Sequence, residues 1–67
     1  QFLRMALSAP GQYEAKLYEM STGELILQRG FTGAQGTLDL SELQAGSYLI
    51  EIENEQGFSA VNKIIKL

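Results

Sequence analysis

Five short stretches of this chain carry apolar side chains on every second residue, and no window of ten or more residues spaces them three and four apart. A period of two belongs to a strand with one buried face, because successive side chains leave opposite sides of an extended backbone. Leu3, Met5 and Leu7 share one parity with Arg4 on the other, and Tyr13, Ala15 and Leu17 alternate with Glu14 and Lys16. Leu25 and Leu27 face away from Glu24 and Gln28, and Leu38 and Leu40 flank Asp39. Tyr48, Ile50 and Ile52 oppose Glu51 and Glu53. A final run, Phe58 to Leu67, breaks parity at Ile64-Ile65, which predicts a bulge or an edge position. The class is all-β.

The pieces are separated by residues that interrupt ladders. Ser8-Ala9-Pro10-Gly11 predicts a hairpin loop, since Pro10 has no N–H and Gly11 tolerates positive φ; Ser21-Thr22-Gly23 and Asn54-Glu55-Gln56-Gly57 predict further turns. Arg29 to Gly36 holds three of the seven glycines and no period, which predicts a loop or wide connection. Ser41-Glu42-Leu43-Gln44 has the form of a capping box and room for one tight helical turn at most. A chain of 67 residues hides only ~60% of its unfolded surface and makes a single domain, 1–67. Strands this short do not close a roomy barrel, so two small packed sheets are expected.

Composition removes most chemistry. With no Cys and no His there is no disulfide framework, thiolate nucleophile, imidazole base or ordinary zinc site. The net charge of −3 gives no basic cluster for nucleic acid or anionic lipid. Glu51, Glu53 and Glu55 lie on one strand face, but a calcium site needs six to eight converging oxygens, and a solvated face is the ordinary reading. Asp39 and Ser41 lack a base to complete a nucleophilic set. Gly33-Ala34-Gln35-Gly36 lacks the Lys-Ser/Thr of a phosphate-binding loop. The expectation is no catalytic residue, no cofactor, no metal and no small-molecule substrate. No stretch reaches the ~18 apolar residues of a membrane span. The chain begins at Gln1 within an alternating run, as expected of a piece cut from a larger protein.

The most specific pattern is Leu40-x-x-Leu43-x-x-Gly46-x-Tyr48-x-Ile50-x-Ile52. It has the form of the corner at which Greek-key sandwiches pass from one sheet to the other, with a Leu in the core, a Gly at the bend and a Tyr hydroxyl bonded to upstream backbone. Lys63 and Lys66 suit two roles, protection of an edge strand and marks read by a receptor, and the residues alone leave both open.

Three segments in order, Tyr18–Leu25 around Gly23, Leu40–Ile52 and Lys63-Ile64-Ile65-Lys66-Leu67, resemble the type IX secretion system C-terminal sorting domain, type A. The resemblance covers about residues 13–67. It implies an Ig-like, Greek-key β-sandwich of about six to seven antiparallel strands that does no chemistry and serves as an address. Cargo crosses the periplasm to the outer-membrane translocon and the cell surface, where a sortase-like peptidase removes the domain. Gly23, Leu43, Gly46 and Tyr48 are expected to hold shape, and Lys63, Ile64, Ile65, Lys66 and Leu67 to be read by partners. The chain departs from the family pattern in two ways: it lacks an Asn-Pro segment with a further strand before Phe2, and its Ser21-Thr22-Gly23 turn is one residue longer. An unpaired sheet edge then predicts a homodimer by strand exchange or edge pairing. The competing expectation is an Ig- or fibronectin-like adhesion or carbohydrate-binding accessory module, which requires exposed coplanar aromatics.

Overall fold

The computed structural model describes residues 1–67, of which 75% are in strands, with no helix. Four strands, β1 (Phe2–Glu19), β2 (Leu25–Asp39), β3 (Gly46–Asn54) and β4 (Ser59–Lys66), form one antiparallel sheet in the order β2-β1-β3-β4. Each alternating stretch lies on a strand, with Leu40 one residue past the end of β2, but two pairs of pieces have merged. The count is therefore four rather than six to seven, and the strands form one sheet rather than two.

The merging has a physical cause at Ser8–Gly11, where the expected hairpin loop is instead a bend inside β1. Ala6 pairs with Gln35 and Gly11 with Gly33, so Leu7, Ser8, Ala9 and Pro10 face only Ala34 across the ribbon. Four residues against one make a large bulge, which bends a ribbon sharply without ending it. Pro10 has no N–H to lose there, and Gly33 takes φ 109° opposite Gly11. For the same reason Arg29–Gly36 is not a loop: it continues β2 through the bend and pairs with β1 on both sides of Ala34.

The bend folds the outer half of the β1–β2 ribbon over the inner face of the rest of the sheet. Met5, Leu38 and Leu40 from that half are buried together with Tyr13, Ala15 and Leu17 of β1 and with Tyr48, Ile50 and Ile52 of β3. The burial follows the alternation. The opposite faces of β1, β2 and β3 carry polar pairs, Lys16 Nζ to Glu53 Oε1 at 2.9 Å and Gln28 Nε2 donating to Glu14 Oε1 at 2.6 Å.

Two tyrosines brace the central strand pair. The Tyr48 hydroxyl donates to the carbonyl of Gln44 at 2.6 Å, and the Tyr13 hydroxyl donates to that of Ala9 at 2.6 Å. Both close a loop four residues long and both follow Gly-x, in Gly46-Ser47-Tyr48 and Gly11-Gln12-Tyr13. Tyr13 pairs with Asn54 and Glu19 with Tyr48, so the two braces stand at opposite ends of the same antiparallel pair, related by a local two-fold. Tyr13 also stacks on Phe31, with ring centres 5.4 Å apart, and meets Phe58 edge-on at 5.9 Å.

Candidate functional site

The last strand is where candidate recognition residues meet exposed surface. The β3–β4 hairpin is set by Asn54, whose side-chain Oδ1 accepts from the N–H groups of Gln56 (3.0 Å) and Phe58 (2.9 Å), and by Gly57 at φ 91°. This turn fixes the register: Ile50 lies opposite Asn62 and Tyr48 opposite Ile64, whereas Leu49 faces Lys63 and Ser47 faces Ile65. Ala60, Asn62, Ile64 and Lys66 therefore share the side of the core residues, and Val61, Lys63 and Ile65 share the outer side.

The five candidate residues thus divide into two groups. Lys63, Ile65 and Leu67 are exposed, with Ile65 at 58% and Leu67 fully open, and Val61 at 56% joins them on the outer face. Ile64 packs against the core. Lys66 turns inward, and its ammonium donates to the carbonyls of Leu40 (2.5 Å), Leu43 (2.6 Å) and Ser41 (3.2 Å). Those carbonyls belong to the turn between β2 and β3, closed by Leu43 N–H donating to Leu40 O at 3.1 Å, a single tight turn that does not extend into a helix. Lys66 thus clips the last strand to the middle of the chain.

β4 is hydrogen-bonded to β3 on one side, and its other backbone edge has no partner. It takes the edge position that the Ile64-Ile65 break predicts, and its pairing has no bulge. Lys63 has no ion pair and no side-chain hydrogen bond in the fold.

The remaining candidates lie elsewhere. Gly23 takes φ 76° in the β1–β2 turn, where its N–H donates to Glu19 O at 2.8 Å, and Leu43 packs against the core. Gly46 begins β3 with extended backbone. Glu53 is held by Lys16, whose pKa that contact raises, first through the hydrogen bond and then through the charge. Glu51 accepts a long hydrogen bond from the Tyr18 hydroxyl at 3.5 Å. Asp39 Oδ1 accepts both the N–H and the hydroxyl of Ser41, which lowers its pKa below the ordinary aspartate value and shapes the turn after β2. The residues that sequence reasoning missed are Tyr13 with Gly11, although their Gly-x-Tyr spacing repeats that of Gly46 and Tyr48.

A family model described as a secretion system C-terminal sorting domain matches residues 2–67. No curated protein and no solved structure matches the chain.

Proposed function

The chain belongs to the family of type IX secretion system C-terminal sorting domains, and from that membership we propose that it is the address by which a cargo protein is exported to the cell surface, read by protein–protein recognition at β4. The observation that carries the reading is the outer face of β4. Val61, Lys63, Ile65 and Leu67 stand exposed beside an unpaired backbone edge, an arrangement suited to a partner that adds a strand or covers an apolar stripe. Within this reading the cargo transits the periplasm, the outer-membrane translocon binds β4, and a sortase-like peptidase removes the domain at the surface. None of this requires chemistry from the domain itself. A homodimer through the same edge is a competing use of it, and a strict monomer by light scattering at high concentration removes that use.

The structure sharpens the experiment. Deleting Lys63–Leu67 would remove the Ile64 packing and the Lys66 clip along with the outer residues, so a loss of export would confound unfolding with loss of recognition. The cleaner test fuses residues 1–67 to a periplasmic reporter in a bacterium with the system and substitutes only outer positions, Lys63→Glu with Ile65→Asp. Surface display of the parent fusion and its loss in the variant, with unchanged unfolding, is the expected result. Full display of the variant defeats the role assigned to β4. An adhesion or carbohydrate-binding module would need a coplanar aromatic platform, whereas Tyr13, Phe31 and Phe58 are spent on one another.

A further inference from the structure

The folded-over ribbon leaves one gap. β1 pairs with β3 only from Tyr13 onward, so between Phe2 and Leu7 its side away from β2 is a free edge. β4 has a free edge of its own, and a groove of about 450 Å³ runs between the two, with Leu3–Ser8 along one wall, Ala60, Asn62, Lys63 and Ile64 along the other and the buried Ile50 and Ile52 beneath. Asn62 lies on the core-facing parity of β4 and is nevertheless exposed, because nothing covers that stretch of the inner face. The whole chain exposes 4620 Å², against roughly 4200 Å² expected for a folded protein of this mass. The excess is that of a sheet that has wrapped around its core without closing.

Nine of the thirteen residues lining the groove are hydrophobic, and its only charged residues are Arg4 and Lys63. No carboxylate lines it, in a chain whose net charge is −3. Neither cation forms an ion pair within the fold. Two backbone edges, an apolar floor and two unpaired cations call for an occupant that offers hydrogen bonds on both sides, apolar side chains at alternate positions and negative charge between them.

We infer that this groove accepts an extended segment of a partner protein, alternating apolar with acidic residues, which enters as a strand between β1 and β4 and closes the sheet. The inference deepens the sorting reading by giving the chemistry of the partner at β4, and it rests on that reading for the partner's place in export. Backbone pairing supplies the binding, the alternating apolar residues pack on the half-buried Leu3, Leu7, Ala60 and Ile64 of the walls, and the carboxylates meet Arg4 and Lys63, which select against a basic segment.

The test uses the purified chain of residues 1–67 and synthetic seven-residue peptides with capped ends. One alternates Val and Glu, a second alternates Val and Lys, and a third repeats the Val-Glu sequence with alternate amides N-methylated. Binding is read by calorimetry and by amide hydrogen exchange. The expected result is that the Val-Glu peptide binds at least tenfold tighter than the Val-Lys peptide and that the N-methylated one does not bind. New protection should appear at the edges of Phe2–Leu7 and Ser59–Lys66. The Arg4→Glu, Lys63→Glu double variant, with its unfolding transition checked against the parent, should reverse the charge preference. No binding of the Val-Glu peptide at millimolar concentration, equal binding of the acidic and basic peptides, or protection confined to other strands overturns the inference. An exported reporter whose domain fails these peptide tests sinks the groove alone, and a binding domain whose reporter stays inside sinks the sorting reading alone.

Discussion

Replacing Lys66 with Met keeps the aliphatic stem and removes the ammonium that joins β4 to the β2–β3 turn. Two of its three hydrogen bonds, to Leu40 O and Leu43 O, are short and partly buried, and the third, to Ser41 O, is exposed. Bonds to a charged donor contribute about 1.5–3 kcal/mol each when shielded, and the exposed one adds little. Against the sum stands the side-chain entropy of fixing a lysine, up to ~2 kcal/mol. Water also reaches the freed carbonyls in the variant. The expected net loss is about 2 kcal/mol, which in a domain of this size lowers Tm by roughly 8–16 °C. Urea unfolding followed by far-UV circular dichroism measures it, with Lys63→Met as the control. Lys63 bonds to nothing in the fold, so its removal should change stability by less than about 0.5 kcal/mol. Equal midpoints for the two variants would refute the structural role of Lys66 and return both lysines to the status of surface charges.

Tyr48→Phe and Tyr13→Phe each delete a 2.6 Å bond to a carbonyl, and each should cost about 1 kcal/mol in the same assay. Gly36→Ala should destabilise by roughly 1–3 kcal/mol, since a Cβ there would lie 2.8 Å from the Phe31 ring and push it off Tyr13; near-UV circular dichroism would register the lost stacking. Asp39 has a lowered folded-state pKa, so its contribution is full above the ordinary value of 3.8 and is lost as pH falls through the lower folded value. The stability difference between the parent and Asp39→Asn should therefore shrink toward zero on acidification, and a difference that grows instead would contradict the Ser41 contacts.

The extended pieces were legible because period two is a property of neighbouring residues. Met5, Tyr13, Ala15, Leu17, Leu38, Leu40, Tyr48, Ile50 and Ile52 are all buried on the parity their spacing gave. How the pieces join was not legible. Pro10 and Gly11 speak equally for a hairpin and for a bulge, and the choice depends on Ala34 and Gly33 of a strand more than twenty residues away. The same limit applied to the two lysines of the last strand. Their residue type is identical, and only the pairing with β3, which turns Lys63 out opposite Leu49 and Lys66 in opposite Gly46, separates a side chain offered to solvent from one spent on three carbonyls.

The four-against-one bulge also decides what holds the two halves of the ribbon together. On either side of it the two strands pair again, with one further register shift at Leu17/Tyr18, and the β1–β3 pair beyond it has a tyrosine hydroxyl bonded at each end. Between Ala6 and Gly11 no pairing crosses the ribbon. The outer part of the ribbon, Phe2–Ala6 with Gln35–Asp39, is therefore held over the slot beside β4 not by pairing across that joint but by the buried Met5 and Leu38 and by the Lys66 contacts just beyond Asp39.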